Sequence, residues 1–222
     1  MNQRGQVVSR PAESVLATNK VLRNTYTLLS MTLIFSGVVA YIAMQMQLPY
    51  PGILITLVGY WGLLFLTTKF RNSAMGLVAV FALTGFMGYT LGPILNMYTH
   101  LPKGDEIIMT ALGGTGVIFL ALSGYALTTR KDFSFMGGFL LAGIMVVFVT
   151  GLAAAIFSLP GLSLAVSAGF ILLMSGLILY ETSNIIHGGE TNYIMATVSL
   201  YVSIYNLFLS LLNLLSAFSG DD

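Results

Sequence analysis

Glu181 is the acidic residue of this sequence that is best placed to do chemistry inside a membrane. It ends a long uncharged stretch, and a carboxyl group in hydrocarbon is costly unless it is paired or protonated. Because burial disfavours the charged form, Glu181 would then act as a proton-responsive switch. The alternative is an interfacial carboxylate that is solvated or paired with a cation from a neighbouring loop. The candidate cations are Lys69, Arg71 and Arg130.

A stripe of small and polar residues follows on the next apolar segment. Its members recur at intervals of three and four residues, which places them on one face of a helix. Polar groups in hydrocarbon need partners, so this face is expected to pack against other helices, with the last helix inside a bundle. The stripe consists of Asn192, Ala196, Ser199, Ser203, Asn206, Ser210 and Asn213.

Gly188 and Gly189 predict a tight turn between these two helices. If the chain reverses there, Ser199 is the stripe member nearest to Glu181, and Ser203 lies one turn deeper. Hydroxyl groups at these positions are able to donate to the carboxylate. Together with Asn206 they form a candidate lining for a proton-gated pathway.

The remaining motifs predict neither a cofactor nor a metal site. His187 and Glu190 flank the glycine pair, but one histidine without zinc-ligand spacing favours a solvated helix end. The GGTG run at 113–116 lacks the lysine of a phosphate-binding loop, so helix packing explains it better. There is no HExxH pair and no GxSxG motif, so the sequence favours a protein that is not an enzyme.

Composition predicts an all-α, polytopic membrane protein. Hydrophobic residues make up 56% of the 222 residues and charged residues 8%, against about a quarter charged in soluble domains. The net charge of +1 does not indicate a basic surface that would bind nucleic acid. The sequence has no cysteine, which excludes disulfides. Uncharged runs long enough to cross a bilayer predict seven spans, two in 24–68, one each in 72–102 and 107–129, two in 133–180 and one in 192–218.

Prolines and glycines predict where the spans end and pack. Breaks are expected at QLPYPG (47–52) and at SLPG (158–161). Pro93 is expected to kink or end the third helix. On that helix Gly85, Gly88 and Gly92 share one face, which predicts a close approach by a neighbouring helix.

Basic residues predict the orientation of the chain. Four lie in the tail at 1–23, two follow span two and two follow span four, whereas Lys103 lies alone between spans three and four. The positive-inside rule therefore predicts a cytoplasmic N-terminus and an acidic end, at 219–222, on the outer side.

Four segments, 19–30, 88–96, 127–138 and 179–208, resemble the Bax inhibitor (transmembrane Bax-inhibitor-motif) family. The resemblance implies a seven-helix bundle with a central last helix. In the wider family an acid in span six pairs with an aspartate in the last span, and the pair forms a pH-sensitive gate linked to calcium leak. Glu181 matches the first acid, but Ser203 stands where the second is expected. Hard cations prefer several oxygen ligands with more charge, so the departure argues against calcium conduction.

One bacterial branch of this family is associated with the membrane-anchored, ATP-dependent protease FtsH. The resemblance thus implies a bacterial inner-membrane protein, with a periplasmic C-terminus, that binds an FtsH-type protease as a slow substrate and modulator. The predicted handle for the protease is the polar segment 1–19, with Met1, Arg4, Arg10 and Glu13. The alternative is a pH-gated ion leak through Glu181, and a third possibility is a structural role for the polar stripe.

Overall fold

The computed structural model describes the backbone of residues 12–219 and the side chains of residues 20–219. Within these residues seven helices follow one another, with one short 3-10 turn at Ser134–Met136 before the fifth. All seven are long and apolar enough to cross a membrane, which confirms the predicted all-α, multi-pass architecture. The helices are α1 (Ala12–Gln45), α2 (Ile53–Phe70), α3 (Ala74–Thr99), α4 (Gly104–Thr129), α5 (Gly137–Ile156), α6 (Pro160–Ile186) and α7 (Tyr193–Ser219).

The helix ends follow the predicted breaks, with two differences. Pro160 begins α6, where its missing N–H costs no hydrogen bond. Pro93, by contrast, does not end the third helix, because α3 continues to Thr99. A buried proline is tolerated there because neighbouring helices can satisfy the freed backbone groups. In addition, α1 begins at Ala12, inside the segment predicted as a tail, although its span begins at Lys20.

The last helix lies at the centre of the bundle, as the polar stripe predicted. It packs against α6, α4, α1, α3 and α2. Half of its span is buried inside the protein, against 6% for α2. On the stripe itself, Ala196 and Ser203 are fully buried.

The glycine face of α3 packs against α1. Gly88 lies against the Ser36 carbonyl, and Gly92 lies against Ala40 and Ala43. A Cβ atom on Gly88 would collide with the backbone of α1, so only glycine permits this approach. The close contact positions Ser36 beside α7, where it meets Tyr201.

Candidate functional site

Glu181 lies inside α6, near its C-terminal end, and is partly buried. The polar side chain that interacts with its carboxyl group is Ser199 of α7, and Glu190 of the connecting loop acts on it through its charge. The structure thus brings together the predicted acid and the predicted nearest stripe hydroxyl. The role of this pair in sensing protons stays a prediction.

Two deeper residues of the stripe donate hydrogen bonds to the backbone of α7 itself. Ser203 donates to the Ser199 carbonyl over 2.9 Å, and Asn206 donates through Nδ2 to the Val202 carbonyl over 2.8 Å. These donors are therefore occupied by their own helix rather than directed at Glu181. Further along the stripe, Asn213 donates to Ser163 and Ser167 of α6, at 3.1 and 2.8 Å.

Asn192, the first member of the predicted stripe, caps α7. Its Oδ1 atom accepts from the backbone N–H groups of Ile194 and Met195, at 3.0 and 3.1 Å. This is the bonding pattern of an N-cap side chain, which satisfies donors that a helix start leaves free. Its Nδ2 atom donates to the Arg71 carbonyl over 3.0 Å. The cap therefore also ties the α2–α3 loop to the α6–α7 turn.

The three predicted cationic partners lie at the C-terminal ends of α2 and α4, on the same side of the bundle as the α6–α7 turn, and all three side chains are exposed. The Lys69 ammonium lies 5.8 Å from the centre of the Phe70 ring. Arg71 and Arg130 reach the turn through their backbone carbonyls, which contact Asn192 and His187 respectively. Within the described residues, the charged side chain that acts on the Glu181 carboxyl is Glu190. Pairing with these cations stays a prediction.

His187 joins the α4–α5 loop to the end of α6, a contact that the sequence did not indicate. Its Nδ1 atom lies 2.8 Å from the Ser183 carbonyl and its Nε2 atom 3.1 Å from the Arg130 carbonyl. Ser183 donates to the Lys131 carbonyl over 3.1 Å and accepts from the Phe133 N–H over 2.9 Å. Because carbonyl oxygens only accept, both ring contacts are hydrogen bonds only when both nitrogens carry hydrogen.

Two tyrosines of α7 form a second polar cluster, at mid-helix. The Tyr201 hydroxyl bonds to Ser36 and donates to the Thr84 carbonyl over 3.4 Å. The Tyr205 hydroxyl lies 3.2 Å from Thr90 Oγ1. Sequence reasoning missed this cluster because neither tyrosine belongs to the stripe, and their partners lie more than 100 residues away in the chain.

The described residues contain no group of three or more His, Cys, Asp or Glu side chains that could hold a metal ion. Of the predicted protease handle, Met1, Arg4 and Arg10 lie outside the described residues. Glu13 lies in the first turn of α1, ahead of the span.

A central helix with a polar stripe, packed against five of the other six helices, and an acid near the end of α6 define a multi-pass membrane protein of the seven-helix class. The family model described as "Inhibitor of apoptosis-promoting Bax1" matches residues 18–220. The chain belongs to this family.

Bacterial relatives match almost the full chain. The identity is 58% over 213 residues, 96% of this chain and 97% of the relative, to the Escherichia coli K12 protein named "Modulator of FtsH protease YccA". The same values hold for a protein of E. coli O6:H1 named "Inner membrane protein YccA". A protein of Pseudomonas aeruginosa is 61% identical over 202 residues, 91% of each chain.

Proposed function

We propose that this protein resides in the bacterial inner membrane, where it binds an FtsH-type protease and modulates it as a slow substrate. The observation that carries the proposal is the 58% identity, over 96% of the chain, to a protein named as a modulator of FtsH. The names of the family and of this relative describe an inhibitor and a modulator rather than an enzyme.

The fold supports slow extraction by a protease that pulls from the N-terminus. Removing α1 would break its packing against α3, α7 and α6 at once. It would also separate Ser36 from Tyr201 and the Thr25 carbonyl from Thr197, whose hydroxyl donates to it over 3.3 Å. Each hydrogen bond lost in this way removes about 0.5–1.5 kcal/mol of stabilisation. The first step of extraction is therefore the costly one, and it occupies the enzyme.

The position of α1 also supports a handle at the N-terminus. The helix begins at Ala12, eight residues before its span begins at Lys20, so its first two turns extend beyond the apolar stretch. A protease anchored in the same membrane would meet this end first if the N-terminus is cytoplasmic, as the basic residues predict.

The test removes residues 2–19 and keeps Lys20 and Arg23, so that the charges next to the first span remain. The full chain and the shortened chain are reconstituted with an FtsH-type protease and ATP, and turnover is measured together with degradation of a second membrane substrate. We expect the shortened chain to be stable and to relieve the inhibition of the second substrate. Unchanged turnover would contradict the handle.

Glu181→Gln serves as the matched control, since it alters the site and keeps the N-terminus. The modulator function predicts wild-type turnover for this variant. The alternative, a proton-gated ion leak, is supported by the partly buried position of Glu181 near the end of α6. In dye-loaded liposomes the leak predicts a flux that depends on pH and is lost in Glu181→Gln. Absence of flux above empty liposomes would remove that alternative.

A further inference from the structure

A groove of about 460 Å³ lies between α1 and α4, away from the Glu181 site. Its walls include Gly37, Ala40 and Met44 of α1 and Ile108 and Leu112 of α4. Its floor is formed by α3 and by Tyr201, Ile204, Tyr205 and Phe208 of α7. None of the predicted site residues lines it.

The length of the groove matches one leaflet of a bilayer. Along α4 it extends from Asp105 to Thr115, which at about 1.5 Å per residue is roughly 15 Å. The hydrocarbon core of a bilayer is about 30 Å thick, so the groove runs from the surface to the midplane. It opens at the α3–α4 loop, the outer side in the predicted orientation.

The chemistry of the lining is apolar along the groove and acidic at its mouth. At the inner end the hydroxyl groups of Tyr201 and Tyr205 are already bonded to Ser36 and Thr90, so they offer a ligand mainly their rings. Among the lining residues, all of which belong to the described part of the chain, Asp105 carries the one formal charge. Neither Lys103 nor Glu106 lines the groove.

The shape and charge of the groove match one lipid chain, because it is about one leaflet long, apolar along its walls and acidic at its mouth. Pockets for small molecules span about 300–1,000 Å³ and are mostly apolar with a few placed polar groups. We infer that this groove binds one acyl chain of a phospholipid whose headgroup carries an ammonium, and that Asp105 holds the headgroup at the mouth.

Gly37 allows the groove to be filled without disturbing the fold. It lies on α1 in the wall of the groove, and a Cβ atom built on it meets nothing within 4 Å. Gly113 of α4 has the same open surroundings and does not line the groove. Gly37→Trp and Gly113→Trp are therefore a matched pair, and Gly37→Leu is a smaller second variant should the tryptophan impair folding.

The experiment uses the full chain in nanodiscs that contain phosphatidylethanolamine with a photoreactive group at the end of one acyl chain. After illumination, mass spectrometry locates the label. We expect it on peptides covering 33–44 and 201–208. Gly37→Trp and Gly37→Leu should reduce this label, by about tenfold for tryptophan, equivalent to about 1.4 kcal/mol, whereas Gly113→Trp should leave it unchanged.

The headgroup contact is tested with Asp105→Asn against Glu106→Gln, using phosphatidylethanolamine in competition with phosphatidylglycerol. An exposed ion pair contributes about 0.2–1 kcal/mol, so Asp105→Asn should lower the preference for phosphatidylethanolamine by about 1.4- to fivefold, and Glu106→Gln should not. Four outcomes would overturn the inference. They are groove labelling no stronger than on 53–66 of α2, labelling that persists in both Gly37 variants, no preference between the lipids in the unaltered chain, and a second copy of the chain crosslinked into the groove.

Discussion

The inner helices α3 and α7 and the outer helices α2 and α5 are all apolar enough to span a membrane, yet they occupy different environments. Inside the bundle, 44% of the α3 span and 50% of the α7 span are buried. The corresponding values for α2 and α5 are 6% and 11%. The mean hydropathy of a helix therefore does not predict whether it lies at the centre of the bundle.

Small and polar faces distinguish the inner helices. Lipid is as apolar as a leucine side chain, so helices in a membrane gain little from burying apolar surface and associate through close packing and hydrogen bonds. The glycine face of α3 and the serine-rich stripe of α7 supply both. Helix α5 begins with two glycines and has three alanines near its end, but it packs chiefly against α6 and remains at the periphery.

The largest effect is expected from a methyl group on the inner glycine face. Gly88→Ala places a Cβ atom against the Ser36 backbone, and overpacking of this kind costs about 1–3 kcal/mol. Gly62→Ala in α2 meets open space and should be neutral or stabilising by about 0.5–1 kcal/mol, since alanine favours helix over glycine. The free energy of unfolding of each variant is measured in mixed micelles and compared with that of the unaltered chain. Equal stabilities would show that the close approach of α1 and α3 contributes nothing.

An effect of similar size is expected from the buried tyrosine cluster. Tyr201→Phe leaves the buried Ser36 hydroxyl without its partner on α7, at a cost of about 1–3 kcal/mol. Tyr125→Phe, at an exposed position of α4, should change the free energy of unfolding by less than about 0.5 kcal/mol. The free energy of unfolding of both tyrosine variants is measured in the same mixed micelles. Double substitution with Ser36→Ala should cost less than the sum of the single changes, and strict additivity would contradict a direct bond.

Local sequence patterns were sufficient to predict the helices and the inner faces. Proline and glycine clusters predicted the breaks, and the interval of three and four residues predicted that α7 is central. Counting residues around Gly188 and Gly189 placed Ser199 nearest to Glu181, because the geometry of a hairpin fixes its register. All of these inferences use distances along one helix or across one turn.

Contacts between distant segments could not be predicted in this way. Tyr201 and Ser36 are separated by 165 residues, and His187 and Arg130 by 57. Spacing on one helix shows which residues share a face but not which helix meets that face. Asn192 illustrates a related error, because the same spacing that placed it on the stripe did not indicate that its side chain caps α7.

The smallest effect is expected at the turn that precedes the N-terminus of the outer helix α5. The Ser134 backbone N–H, which donates to Asp132 over 2.8 Å, and the Ser134 hydroxyl hold the pKa of Asp132 below its usual value, and the nearby His187 adds to this. Because the folded pKa is the lower one, the carboxylate stabilises the turn above the unfolded value of about 3.9 and loses this effect as pH falls through the folded value. The turn at Ser134–Met136 should therefore lose stability progressively as the pH falls below about 3.9.

Asp132→Asn should remove this pH dependence and slightly raise amide exchange at 133–137 at neutral pH. Exchange in the remainder of α5 should stay as in the unaltered chain, because an outer helix held chiefly by α6 does not depend on the cap at its start. Glu106→Gln, at another exposed helix start, is the matched control. If exchange rose throughout α5, the outer helix would depend on its polar cap as the inner helices depend on their polar faces, and the distinction between the two pairs would fail.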